Sequence, residues 1–210
     1  MTALQHRPAA TRRDAVRNYH RILAAAREVL GESGADASIE EIAARAGVGV
    51  GTVYRRFASK DALIDELLQL ALEDALAATE RALARTDGRG LEELLQALGQ
   101  SFADHARYAN LLLQRHTGDA TARRMRAATE ELTARAIVAG TVNPGTTPGD
   151  VLALIWAMRG LVQATGEVAS GAWQRFPDVH LAGLRAAGPL SSTAPLSARQ
   201  LSKLASRRRS

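Results

Sequence analysis

Three side chains with hydrogen-bonding groups occur close together in one short segment of the chain: Thr52, Tyr54 and Arg55. Hydroxyl groups can donate to phosphate oxygens, and a guanidinium group can bind a phosphate or both major-groove acceptors of a guanine. Val50 adds an apolar contact suited to a thymine methyl group, and Gly51 lets a partner approach the backbone closely. These residue types at this spacing indicate contact with DNA.

Two short helices are predicted to hold these side chains. Ser38 and Glu41 have the spacing of a capping box, which starts the first helix. Gly47 stands where a left-handed residue would end that helix, and a second helix is predicted from about Val50 to Phe57. The first helix keeps an apolar face at Ile39, Ile42, Ala43 and Ala46.

The spacing of Ala43, Gly47 and Val53 allows the two helices to cross tightly, as in a helix-turn-helix. Val53 and Phe57 are assigned to the core, whereas Arg56 is placed among the outward residues. In a helix-turn-helix, the N-terminal residues of the second helix meet base edges in the major groove. The alternative, a solvated helix with ordinary surface residues, agrees poorly with the capping box and the glycine turn.

A resemblance to the DNA-binding region of TetR-type transcriptional regulators is carried by the segment GVGVGTVYRRFASKDALIDEL. The first helix of that family resembles the upstream segment RRDAVRNYHRILAAAREVLGESG, and the resemblance is specific over residues 12 to 75. Many members have serine where this chain has Gly49, so one phosphate contact is in doubt, although glycine caps a helix nearly as well. The resemblance implies a phosphate contact from Lys60. The complete set of predicted DNA-contacting residues is Ser38, Gly49, Val50, Gly51, Thr52, Tyr54, Arg55 and Lys60.

Composition excludes several other classes of protein. The 210 residues can bury a sizeable core and include no cysteine, which argues against a disulfide framework, thiol chemistry and a thiolate metal site. The first thirteen residues lack the apolar segment of a signal peptide. The longest apolar run, residues 151–162, is too short to span a bilayer and contains Arg159. We therefore expect a cytoplasmic protein.

Charge is distributed unevenly along the chain. Residues 1–60 carry a net charge of +4, residues 61–188 carry −4, and the last twenty-two residues hold five cations and no acid. A basic N-terminal segment followed by an acidic segment is expected of a DNA-binding domain joined to a module that avoids DNA.

Helical periodicity throughout predicts an all-α fold of about nine helices. The first helix is predicted from about Asp14 to Leu30, ended by Gly31 or Gly34, and the last from about Phe176 to Ala187. The arm and the tail either add attraction to DNA or only aid solubility. Four segments are predicted: a flexible basic arm at 1–13, a helix-turn-helix DNA-binding domain at 14–60, a helical regulatory and dimerisation domain at 61–188, and a disordered basic tail at 189–210.

Small residues recur on the last two predicted helices. Thr147, Pro148 and Asp150 form a start signal for a helix that we expect to be buried nearly all round. Close packing with a second copy of the chain would use such a stripe, although internal packing explains it equally well. A dimer also suits the geometry of two half-sites on DNA. The predicted interface residues are Ala153, Ala157, Gly160, Ala164, Val179, Ala182, Gly183 and Ala186.

In TetR-type regulators the body usually holds a small-molecule cavity, so the resemblance implies an effector site. An unbroken helix would bring His105 and His116 to one face, but two histidines without a carboxylate pattern do not predict a metal site. Trp156 and Met125 are explained more readily as core residues than as the wall of a pocket. The candidate ligand-binding residues are Phe102, His105, Tyr108, His116, Met125, Trp156, Arg159, Gln163 and Trp173.

The function predicted from these features is that of a dimeric repressor that an unknown small-molecule effector releases from a pseudo-palindromic operator. The alternative is an effector-independent DNA-binding activator or architectural protein. An enzyme is not expected, because the chain has no G-x-S-x-G, no H-E-x-x-H, no glycine-rich phosphate loop after a strand and no cysteine nucleophile. No cofactor, metal or membrane partner is predicted.

Overall fold

The computed structural model describes residues 12–108, 119–166, 168–169, 171–197 and 199–200. Within these ranges the regular structure is helical, which confirms the predicted all-α fold. None of the described helices combines the length and apolar character that a membrane span requires. The eight α-helices are α1 (Arg12–Ser33), α2 (Ile39–Ala46), α3 (Val50–Arg56), α4 (Lys60–Ala84), α5 (Gly90–His105), α6 (Asp119–Val138), α7 (Pro148–Thr165) and α8 (Ala172–Leu184).

The chain forms two compact units that meet within α4, between Leu67 and Leu68. In the first unit, α1 packs on α2, and the start of α4 completes the core. Ser59 caps α4 by accepting a hydrogen bond from the Ala62 amide at 3.1 Å. The buried apolar side chains include one face of α1, namely Ile22, Leu23, Ala26, Val29 and Leu30, together with Leu63, Ile64 and Leu67 from α4.

The end of α1 agrees with the second of the two predicted stop residues. The helix continues through Gly31 and ends at Ser33, and Gly34 follows with a φ of +56°. Gly31 is tolerated because the apolar face that precedes it is buried, and this packing outweighs the low helix propensity of one glycine.

The second unit has one apolar core built from α5, α6, α7 and α8. Four leucines of α5 lie in it, at positions 91, 94, 95 and 98. Trp173 of α8 is 4% exposed and lies against Gly99, where an added Cβ would stand 2.3 Å from two ring carbons. The absence of a side chain at Gly99 therefore lets the tryptophan ring reach α5.

Helix α7 begins as predicted but is not buried all round. Thr147 and Asp150 form a reciprocal capping box, with Pro148 in the first helical turn. Leu154, Met158 and Val162 face the core, whereas the opposite side of the helix is exposed. The prediction failed because the small residues on that side, Ala153, Ala157, Gly160 and Ala164, are exposed and not covered by another described helix.

Helix α8 begins at Ala172, four residues before the predicted start, and contains Pro177. A proline inside a helix removes one backbone hydrogen bond. Both Trp173 and Pro177 are buried, so core packing holds the turn that precedes the proline. Local sequence signals do not report this packing.

The chain after α8 is held by the loop between α6 and α7. The Asn143 side chain donates to the carbonyls of Ala186 at 2.7 Å and Gly188 at 2.8 Å. Further along, the Leu196 carbonyl would lie 2.7 Å from a Cβ added to Gly149. The part of the tail up to Leu196 therefore contacts the second unit, and positions 201–210 lie outside the described residues.

Candidate nucleic-acid interface

The start of α2 has the predicted capping box. The Ser38 hydroxyl accepts from the Glu41 amide at 3.2 Å, and the Ser38 amide donates to the Glu41 carboxylate at 2.8 Å. The bond from the Ser38 backbone lowers the pKa of Glu41. This contribution to stability is present near neutral pH and is lost as the pH falls through the lowered pKa of the folded carboxyl group.

Gly47 makes the corner between α2 and α3. It has φ 62° and ψ 42°, the left-handed conformation that glycine adopts without a Cβ clash. The Val48 amide donates to the Ala43 carbonyl at 3.0 Å and closes the turn. Arg21 of α1 reaches the same corner, where its guanidinium donates to the Gly47 carbonyl at 3.4 Å. No local sequence pattern joins positions 21 and 47, so this contact is visible only in the folded chain.

Helix α3 has one anchored side and one open side. Val53 is 0% exposed and Phe57 is 4% exposed, so both lie in the core as predicted. Gly51, Tyr54 and Arg55 are exposed, and Val50 and Thr52 are half-buried. The structure therefore brings the five predicted contact residues of α3 to one accessible surface.

Two features of this surface concern its chemistry. Arg55 donates to the Thr52 hydroxyl at 3.1 Å, which holds the guanidinium beside the N-terminal half of α3. Apart from the chain neighbours and the backbone of the same helix, no atom of the described residues lies within 4 Å of a Cβ added to Gly49 or Gly51. Packing among these residues thus does not require glycine at either position, although glycine in a helix costs about 1 kcal/mol relative to alanine.

Lys60 and Ser38 have partners within the unit. The Lys60 ammonium donates to the carbonyls of Ala35 at 2.6 Å and Ala37 at 2.9 Å, which joins the start of α4 to the connection between α1 and α2. The hydroxyl of Ser38 serves the capping box. A DNA contact from either residue stays a prediction, and each has a structural role beside it.

Arg56 is exposed, as predicted, and it also has partners within the unit. Its guanidinium lies 4.7 Å above the ring centre of Tyr19 and 3.9 Å from the Glu66 carboxylate. Helical spacing alone could not predict these partners, because it does not show which neighbours a long side chain will meet.

Arg45 of α2 forms ion pairs with two carboxylates of α1, Glu28 at 3.1 Å and Glu32 at 2.8 Å. These pairs are exposed, so each contributes little to stability. They neutralise one cation of the first unit, and the cationic groups on its surface are therefore not equally available to a polyanion.

The predicted interface stripe lies on the surface of the second unit. Every one of its eight residues is exposed in the single chain, and Val179 is 51% exposed. In the part of the chain that the structure describes, no atom outside the same helix lies within 4 Å of a Cβ added to Gly160 or Gly183. Trp156 and Gln163 occur four residues before and three after Gly160, so helical geometry places them beside this stripe.

The remaining ligand-binding candidates fall in different places. Phe102 and Met125 pack against the core, where Met125 Sδ accepts from the Thr79 hydroxyl at 3.4 Å. His105 and Tyr108 meet edge to face at the end of α5, with ring centres 5.7 Å apart. Because α5 ends at His105 and a 3-10 turn follows, no unbroken α-helix carries that face onward. His116 lies outside the described residues.

Comparison with known proteins finds similarity to one family of regulators. Residues 22–67 match a family model described as bacterial regulatory proteins, tetR family. The chain is similar to the TetR transcription regulatory protein from Mycobacterium vanbaalenii, with 27% identity, 83% of this chain and 99% of that chain covered, and a TM-score of 0.59.

Two further solved structures share the fold. One is the TetR transcriptional regulator SCO0520 from Streptomyces coelicolor, at 23% identity, with 80% and 99% of the two chains covered and a TM-score of 0.60. The other is the TetR family transcriptional regulator PfmR from Thermus thermophilus, at 21% identity, 78% and 98% coverage and a TM-score of 0.63. A search of curated proteins finds no match.

Proposed function

We propose that this chain, a DNA-binding transcriptional regulator of the TetR type, acts as a dimeric repressor that a small-molecule effector releases from a pseudo-palindromic operator. The open face of α3 carries this proposal. Hydroxyl, phenol and guanidinium groups stand there together, next to glycines whose missing side chains serve no packing need of the protein.

On this face we assign base reading to Arg55 and backbone contacts to Thr52 and Tyr54. The bond from Arg55 to Thr52 limits the positions of the guanidinium before DNA arrives, so less rotamer entropy is lost on binding. Gly51 would let the DNA backbone come close to the first turn of α3. Ser38, Gly49, Val50 and Lys60 complete the proposed contact set.

The dimer part of the proposal is supported by the exposed small-residue stripe. Exposed alanines and glycines on α7 and α8 let two helices approach closely, and a two-fold pair buries the same surface on both copies. Two DNA-binding domains related by such an axis would meet half-sites about 34–36 Å apart on one side of the duplex.

For the effector we propose the second unit, near the end of α5. Tyr108 is 2% exposed, and the His105 ring nitrogen lies 2.5 Å from the Ser101 carbonyl, so aromatic and polar groups meet there. Release needs only tighter binding of the effector to the form that does not hold DNA, and each 1.4 kcal/mol of difference shifts the equilibrium about tenfold.

Selection of bound fragments from genomic DNA tests this function. We expect enrichment of one motif with two-fold symmetry, and Arg55→Ala should relax the preference at particular base pairs while leaving others unchanged. Genes beside the operator would then supply candidate effectors for release assays. Absence of any enriched motif would reject sequence-specific binding, and binding unaffected by every candidate would favour an effector-independent activator or architectural protein.

Gly51→Ala provides a second test, with two readouts that should move in opposite directions. The new methyl group meets open space and alanine favours a helix, so the free energy of unfolding should rise by about 0.4–1 kcal/mol. Operator affinity should fall, because the methyl group occupies room left for the DNA backbone. Denaturant unfolding and fluorescence anisotropy measure the two effects, and unchanged affinity would remove Gly51 from the contact set.

A further inference from the structure

The C-terminal end of α3 is attached to α1 and α4 by four side chains, which we call the Tyr19 cluster: Tyr19, Arg56, Phe57 and Glu66. The Tyr19 hydroxyl donates to Glu66 at 2.5 Å, and Arg56 pairs with the same carboxylate at 3.9 Å. The rings of Tyr19 and Phe57 stack with their centres 6.1 Å apart. A tyrosine of α1 and a carboxylate of α4 therefore meet the last residues of α3.

Helix α3 depends on such contacts for its orientation. It has only seven residues, and its first residue follows Gly49, which offers no side-chain cap. Isolated helices of this length are not stable in water, so tertiary contacts must hold α3 in place. Val53 fixes the middle of the helix in the core. This single contact would leave α3 free to rotate about Val53.

The Tyr19 cluster supplies the second anchor. Phe57 is buried and its amide donates to the Val53 carbonyl at 2.8 Å, so the ring is tied to the last turn of α3. Arg56 lies over the ring of Tyr19 and beside Glu66, on a different side from Arg55. Together these contacts fix both the tilt of α3 and its rotation about its own axis.

We propose that Tyr19 and Glu66 are positioning residues for DNA recognition, which act by holding α3 at the angle from which Arg55 reaches base edges. The inference rests on the proposed DNA-reading role of α3. Hydrogen bonds weaken steeply outside a narrow range of distance and angle, so a small rotation of α3 would cost base contacts first. Phosphate contacts tolerate more displacement, because charge attraction falls off slowly with distance.

The variants Tyr19→Phe and Glu66→Gln test this role. Tyr19→Phe keeps the stacked ring and removes the hydroxyl, whereas Glu66→Gln keeps an acceptor and removes the charge that pairs with Arg56. We expect each variant to lose about three- to tenfold in affinity for the selected operator, the range expected for one hydrogen bond or ion pair. Affinity for a random duplex should stay within about twofold, since no phosphate contact is removed.

Three comparisons make the result specific. The operator affinity of the double variant should be only slightly below that of the single variant with the lower affinity, because both changes break the same network. Glu32→Gln is the matched control, since it removes another exposed ion pair of the same unit, with Arg45, and should leave operator affinity unchanged. All measurements use the full chain well below its melting temperature, so a loss of stability alone would not change the ratio of operator to random affinity.

The outcomes separate this inference from the function on which it rests. If the unaltered chain selects no operator, the proposed function fails. If the unaltered chain selects an operator and both variants bind that operator as tightly as the unaltered chain does, only the positioning role is overturned. Equal losses on operator and random duplex would also overturn it. If the Glu66→Gln variant does not fold, the result for Tyr19→Phe decides the positioning role by itself.

Discussion

Gly160→Leu should yield monomers whose helices are unchanged. Gly160 is exposed, and outside its own helix no described atom of the single chain lies within 4 Å of a Cβ added there, so a side chain at this position starts into open space. In a pair of chains packed through the small-residue stripe, the same side chain would force the helices apart. Overpacking costs about 1–3 kcal/mol at each site. A two-fold axis places one such site in each subunit, so the cost arises twice in the dimer.

Sedimentation measures this effect directly. The unaltered protein should sediment at twice the 22.4 kDa of one chain, and the variant at the mass of one chain at the same concentration. Ala134→Leu is the matched control, because Ala134 is also exposed but lies on α6, away from the stripe. A Gly160→Leu variant that remains dimeric, with the same circular dichroism, would move the interface to another surface.

Gly99→Ala should strongly destabilise the second unit. The added Cβ would stand 2.3 Å from two ring carbons of Trp173 and 3.0 Å from the Met158 sulfur, and both neighbours are buried. Neither can move away without disturbing the core, so we expect a loss near the upper end of the usual 1–3 kcal/mol for overpacking, about 3 kcal/mol. That is a large part of the roughly 5–15 kcal/mol that stabilises a typical protein.

Denaturant unfolding followed by tryptophan fluorescence would show this loss as an earlier midpoint. A red-shifted native spectrum would report that Trp173 has left its buried position. Gly51→Ala is the control, since it is also a helical glycine but faces open space and should shift the midpoint the other way. An unchanged midpoint for Gly99→Ala would show that α5 and α8 are less closely packed than the contact between Gly99 and Trp173 implies.

Sequence alone determined the features that depend on neighbours a few residues apart. The capping boxes at Ser38 and Thr147, the left-handed Gly47 and the inward Val53 all follow from such local patterns, and the structure confirms each. These patterns are predictable because the partners that satisfy a helix end lie within one turn of it.

Tertiary structure alone decided the features that join distant parts of the chain. It placed Arg56 over Tyr19 and beside Glu66, and it started α8 at Ala172 because Trp173 fits against Gly99. It also left the small residues of α7 exposed. Contacts of this kind arise from packing between helices, and helical periodicity gives the direction of a side chain but not the element that it meets.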